Sequence, residues 1–209
     1  MEKIDEEIKN LKVLQSRKTS KRILTHAIKV FLEKGYHGAT IDDVCRAAGV
    51  TKGSIYWHFK SKEDLLRRII GDIEKRFLDG MIQKVEEVKG GFSEKIEKYF
   101  RYGATFAYYN PELLVSFTTL SAELIGAHHP IEPEIRHIYM KHQKFLSSLI
   151  VQGKKEKILK KEINPDLAAK IVVAFHDGIL FGWFMDRNEM DGEAYANAFK
   201  KIVLKGLMV

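Results

Sequence analysis

The chain has 209 residues, 45% hydrophobic and 30% charged, with 35 Lys/Arg against 28 Asp/Glu for a net charge of +7. That length and apolar content build a real core and exclude wholesale disorder, and the single cysteine, Cys45, excludes an intramolecular disulfide framework or a cysteine-built zinc cage. No apolar run of about 18 residues and no apolar segment behind the N-terminus is visible, so neither a membrane span nor a signal peptide is expected, and a cytoplasmic protein is.

The charge is unevenly placed. Residues 1–68 hold 15 Lys/Arg and 9 Asp/Glu, whereas residues 69–209 hold 20 and 19. A basic first third on a nearly neutral remainder suits a polyanion partner, or simply a soluble surface. With 4 prolines, and most of the 15 glycines between periodic segments, the chain favours helices over a turn-rich β fold.

Ile4, Ile8 and Leu11 stand at helical spacing in a charged background and predict a short extra helix or a frayed arm. A basic cluster follows: Arg17, Lys18, Lys21 and Arg22. The next helix is predicted from Thr19 or Ser20 to Gly35, with Ile23, Ala27 and Phe31 as its buried stripe and Gly35 in the left-handed position that ends a helix. Thr40 caps a short helix from Ile41 to Ala48, with Asp42 and Asp43 in its first turn. Gly49 ends it, and Thr51 caps a further helix to about Phe59. Ser61, with Asp64 three residues on, opens a helix through Leu65, Leu66, Ile69, Ile70, Ile73 and Phe77 that fades near Gly90-Gly91. Beyond it, Ser93 opens a helix carrying Ile96 and Phe100, and Pro111 begins one carrying Leu114, Phe117, Leu120 and Leu124. A loop spans 126–133. Ile135, Ile138, His142, Phe145 and Leu149 trace a long helix ending near Gly153. Pro165 opens a helix with Leu167, Ile171, Ala174, Phe175, Gly178 and Gly182 in periodic positions, and the last helix carries Tyr195, Phe199, Ile202 and Val203.

Two short helices joined only by Gly49 and Val50, with Thr51 as cap, form the helix-turn-helix pattern. In the second of them Ile55 and Phe59 are four apart and must face the core. At ~100° per residue, Gly53 and Trp57 lie nearly opposite Ile55, flanked by Lys52, Ser54, Tyr56 and His58. A tryptophan facing water is costly unless something covers it. The edge of a major groove would do so, and glycine at 53 allows close backbone approach. The alternative is that Tyr56 and Trp57 pack against a neighbouring helix.

The stretch Ala27–Leu66, AIKVFLEKGYHGATIDDVCRAAGVTKGSIYWHFKSKEDLL, resembles the DNA-binding domain of TetR/AcrR-type transcriptional regulators, above all at Phe31, Gly35-Tyr36, Thr40, Ala48-Gly49-Val50, Gly53, Tyr56, Phe59 and Lys62-Glu63. The resemblance implies an all-α protein. An extension (1–18) would precede a three-helix helix-turn-helix domain (19–66), followed by a helical ligand-binding and dimerisation domain (67–209). It implies a homodimer on pseudo-palindromic double-stranded operator DNA, acting as a repressor and released by a small effector. By the same resemblance Thr40, Tyr56 and Lys62 would contact the DNA backbone, and Arg46, Thr51, Lys52, Ser54, Trp57 and His58 bases or backbone.

The C-terminal two-thirds matches the family in helical layout only. The resemblance implies a largely apolar cavity, with Phe106, Phe117, Phe145 and Phe175 among its walls and Glu123 or His142 as polar anchors, for a lipophilic or aromatic effector. Glu123, His142, His176 and Asp177 lie on otherwise apolar helices, as satisfied core groups or as the polar groups of such a pocket. The implied dimer interface uses the last two helices. Gly178 and Gly182 would admit a partner helix, and Phe175, Phe181, Tyr195, Phe199 and Ile202 would supply apolar cover, unless these faces pack within one chain. His128, His129, Glu132, Glu134 and His137 are ligand-type residues, but without an HExxH arrangement and with two prolines between them they read as a polar loop and helix start. No GxSxG or Walker loop occurs, so no catalysis, cofactor or metal is expected. The rival is an enzyme carrying a DNA-binding head.

Overall fold

The computed structural model describes residues 2–186, 188–189 and 191–208, and within the first ten residues the side chain of Glu6 only. The chain divides into two compact units, Met1–Ile69 and Ile70–Val209. Among the described residues every named element is a helix.

The first unit begins with one long helix, α1 (Glu2–Gly38). The sequence predicts a short extra helix or a frayed arm and then a separate helix from Thr19 or Ser20. No glycine or proline stands between Met1 and Lys34 to divide them, and the structure joins them. Of the periodic set that suggests an extra helix, the side chains of Ile4 and Ile8 lie outside the described residues, while Leu11 is exposed together with Val13 and Leu14. At Gly35 the backbone leaves helical geometry (φ 68, ψ 169), which only glycine adopts cheaply. Helix α2 (Ile41–Ala48) starts with a capping box in which Thr40 and Asp43 satisfy each other's backbone N–H, and it stops at Gly49 (φ 61). Helix α3 (Lys52–His58) is capped by Thr51, whose hydroxyl accepts from the Ser54 N–H at 3.2 Å. Helix α4 (Lys62–Asp72) follows. Ile23, Ala27 and Phe31 of α1 are buried, as are Val44, Ile55, Leu65 and Leu66.

The second unit does not continue α4 as uniform α-helix. Ile73–Asp79 forms a π-helix, after which α5 (Gly80–Glu86) resumes α geometry. The wider turn leaves the Arg76 carbonyl able to accept the Tyr102 hydroxyl at 2.8 Å. Gly80 lies directly under that hydroxyl, where a Cβ would collide with it. Then come α6 (Phe92–Tyr109), α7 (Pro111–Leu124) and α8 (Glu132–Lys155). Helix α8 ends at Lys155, near Gly153 as the sequence suggests, with Gly153 itself still helical. A Cβ there would meet the Phe92 ring at 2.7 Å and Leu159 at 2.9 Å. Helix α9 (Pro165–Met185) is capped by Asn164 and α10 (Gly192–Leu207) by Asp191. Ile138, Leu146, Leu149, Leu120 and Val173 belong to this unit's core.

By length and composition α9 could cross a membrane, where the sequence reading found no such stretch. It nevertheless carries Asp166, Lys170, His176 and Asp177, and its burial is one-sided. Ala169, Val172 and Val173 are buried, while Leu167, Ile171, Phe175, Phe181 and Met185 are exposed.

Candidate DNA interface and ligand cavity

Helix α3 has two opposed faces. Ile55 is 0% exposed and Trp57 82% exposed. Tyr56 and Gly53 are also exposed, and a Cβ at Gly53 would meet only the Thr51 hydroxyl, at 3.9 Å. The helix has no acidic residue, and Lys52, Ser54 and His58 surround the indole along the sequence. The Lys52 ammonium lies 2.9 Å from the Asp42 carboxylate, a hydrogen-bonded pairing that raises its pKa. Arg46, on α2, is exposed and reaches Asp43 at 3.5 Å. Asp43 itself is held well below the usual carboxylate range by the Lys34 ammonium at 2.6 Å, then by the hydroxyl and N–H of Thr40. Thr40 therefore already has its hydroxyl on Asp43, at 2.7 Å. On α1, Arg17, Lys18, Lys21 and Arg22 are all exposed, and their spacing gathers them on one face.

Lys62 departs from its expected place on the phosphate-binding surface. Its ammonium turns inward, donating to the carbonyls of Tyr36 at 2.8 Å and Ala39 at 2.9 Å, and sits 4.3 Å from the centre of the Tyr36 ring. Those carbonyls follow the break at Gly35, and a lysine on α4 satisfies them much as a cation satisfies a helix C-terminus.

The second unit holds a cavity of about 880 Å³ that is partly open to solvent. Phe117 and His142 are in its lining as expected; Phe106, Glu123, Phe145 and Phe175 are not. Phe175 lies on the outer face of α9, 53% exposed. Phe106 packs instead on Phe77, 5.2 Å between ring centres, and on Tyr102. Tyr99, Tyr139 and Thr118 line the cavity as well and hold its polar groups.

Tyr99 Oη stands 2.8 Å from His142 Nε2 and 3.2 Å from His176 Nδ1. With one proton to give, the phenol donates to one ring and accepts an N–H from the other. Burial pushes His142 down to about 3, helped by the neighbouring His176, and pushes His176 down to about 4, so both rings are neutral at pH 7. Burial also raises the Tyr99 phenol. Beside this trio, Asp177 accepts from the Tyr139 hydroxyl at 2.9 Å and from the Thr118 hydroxyl at 3.3 Å. Burial raises its pKa, and the two hydrogen bonds oppose that rise.

The residues expected at a dimer interface separate into two groups. Phe175, Phe181 and Ile202 are exposed, the last by 70%, and Gly178 has nothing within 4 Å of the place a Cβ would take. Phe199 and Tyr195 turn the other way. Phe199 is 7% exposed and packs edge-on to Phe100 at 5.7 Å and His176 at 5.1 Å, while Tyr195 lines the cavity and sets its hydroxyl 3.1 Å from the Cβ position of Gly182. For those two, packing within the chain prevails.

Residues 23–69 match the family described as bacterial regulatory proteins, tetR family. Over 197 residues, 92% of this chain and 97% of the relative, the sequence is 25% identical to the fatty acid metabolism regulator protein of Bacillus subtilis. It is 27% identical to the HTH-type transcriptional repressor DhaR of a Mycobacterium species over 168 residues, 77% of this chain and 79% of that one. The solved structure of the MbdR regulator from Azoarcus superposes with a TM-score of 0.82 at 28% identity, covering 91% of this chain and all of the other. With its exposed α3 and its helix-turn-helix joined at Gly49, the segment 23–69 is a DNA-binding domain of the tetR family of bacterial regulatory proteins.

Proposed function

We propose that the protein is a repressor that binds a pseudo-palindromic operator as a homodimer and leaves it when a lipophilic or aromatic effector occupies the cavity of the second unit. One observation carries the DNA-binding half: on a helix anchored by a fully buried Ile55, the largest side chain, Trp57, points into solvent at 82% exposure. Among the described residues nothing in its own unit covers it, and a major-groove edge with thymine methyl groups would do so. In this reading Trp57, Lys52, Ser54 and His58 address base edges, with Tyr56, Thr51, Arg46 and Thr40 beside them on phosphates. Gly53 lets the backbone come close, and the exposed basic face of α1 adds phosphate contacts. One such helix offers few base contacts, which favours a two-fold pair on two half-sites about one helical turn apart (~34 Å). The effector half rests on the 880 Å³ cavity and its aromatic lining, and the site of action is the cytoplasm.

The test is selection of bound duplexes from a randomised pool. A pseudo-palindrome should emerge from the wild-type protein. Trp57→Ala, which removes no packing from the core, should fold normally yet lose about 1–3 kcal/mol of discrimination between the selected site and random DNA. Wild-type discrimination by Trp57→Ala would overturn this orientation of α3.

A further inference from the structure

The cavity has a charge pattern opposite to that of the whole chain. The protein carries +7 overall, yet the ionisable carboxylates in the lining are Glu97, Asp177, Asp191 and Glu193, against Arg101 and Lys200 as the lysine and arginine. Lys200 is already committed to Glu97, at 3.0 Å. The two lining histidines carry no charge at neutral pH. Asp177 is the inner member of this acidic set. Its two oxygens each receive one neutral hydroxyl, from Tyr139 and Thr118, and among the described residues no lysine, arginine or histidine forms an ion pair with it. A carboxylate has about four acceptor positions, and a half-buried one such as Asp177 is costly to keep without a cation. Tyr139, which donates to it, has the Phe117 ring 5.3 Å away, and Phe100 and Trp183 add further rings to the same cavity lining. Ring faces attract cations and apolar bodies alike.

Deepening the effector reading above, on which it rests, we infer that the cavity takes a lipophilic organic cation, an amine with an aromatic or long apolar body, whose ammonium sits against the Asp177 carboxylate between Tyr139 and Thr118. Such a ligand supplies the counter-charge the fold omits and donates N–H groups to the free acceptor positions. Its apolar body fills the ring-lined remainder. A ligand with a carboxylate head is disfavoured at this depth by like-charge repulsion from Asp177. Tyr139 and Thr118 are positioning residues that fix the carboxylate's direction.

The experiment is calorimetric titration of the full-length protein with a matched set of probes: 4-phenylbutylamine, 4-phenylbutanol and 4-phenylbutanoate. The amine is expected to bind at least tenfold more tightly than the alcohol, and the carboxylate more weakly than either. Asp177→Asn should bring the amine to within about threefold of the alcohol. Tyr139→Phe, which keeps the charge but loosens its direction, should reduce the preference without abolishing it. An amine that binds no better than the alcohol to the wild-type protein overturns the inference, and this comparison stands even if Asp177→Asn does not fold. A preference that survives Asp177→Asn overturns it as well. Operator titration in the presence of each probe separates the two levels of reading. If the amine binds through Asp177 and operator affinity does not change, the release mechanism falls and the cation site stands. If the alcohol or the carboxylate releases operator while the amine fails to bind, the cation site falls and the release mechanism stands.

Discussion

Two neutral histidines sharing one phenol make the second unit sensitive to acid. The folded pKa values of His142 and His176 lie at about 3 and about 4, below the ordinary histidine range. The unfolded chain therefore takes up protons first. The stability these rings contribute is complete above about pH 6.5 and is lost as the pH falls towards their folded values. At pH 5 the linkage amounts to about 2 kcal/mol per ring. Asp177, raised by burial, works in the opposite direction over its own range and offsets part of the loss. Thermal melts between pH 7.5 and 5 should show the wild-type midpoint falling, and His142→Gln should fall less steeply. Equal slopes would mean that His142 is charged in the fold. At this scale the sequence is informative about residue type and silent about partners. His142, His176 and Asp177 stand out as polar groups on apolar helices, but Tyr99 joins them only because α6, α8 and α9 converge, from positions 43 and 77 residues away.

Among the elements, the short helices of the first unit were legible because their signals are local. Thr40, Gly49 and Thr51 mark their ends in the sequence and do so in the fold. Lys62 shows where local signals stop. Its place in the first turn of α4 suggests a phosphate contact, whereas the break at Gly35 leaves the carbonyls of Tyr36 and Ala39 for it to fill, across 26 and 23 residues. Lys62→Ala should therefore lower the stability of the first unit by about 1.5–3 kcal/mol, the usual worth of hydrogen bonds to a charged group. It should leave the slope of operator affinity against salt nearly unchanged, since no phosphate charge is lost. Urea denaturation and binding at several salt concentrations check both parts; a slope reduced by about one charge would return Lys62 to the phosphates. The π-helix was not legible, because Ile69, Ile70, Ile73 and Phe77 fit an α-helical stripe equally well and the widening depends on Tyr102 and Gly80.

For the whole molecule, the apolar periodicity of α9 is real, but it marks two faces. Leu167, Ile171, Phe175 and Gly178, spaced as a buried stripe, are exposed, and the chain's own core takes Ala169, Val172 and Val173 instead. Spacing identifies a face that needs cover and does not say whether the same chain or a second copy supplies it. With a second copy as cover, Phe175→Glu should give monomers in sedimentation and abolish operator binding, because each half-site alone is weak. A dimeric Phe175→Glu would move the interface elsewhere. Gly182→Leu is the poorer probe, since its side chain would strike Tyr195 of its own chain first. The π-helix bears on the molecule differently. A π-turn is what a single inserted residue leaves inside an α-helix, and one residue of α-helix corresponds to ~100° of rotation and ~1.5 Å of rise. The segment Ile73–Asp79, which lines the cavity through Ile73, Phe77 and Leu78, is thus a phase offset built into the chain directly after α4. Deleting one residue between 73 and 79 would turn α5 by that angle relative to the turn before it and should carry Met81 and Val85 out of their buried positions.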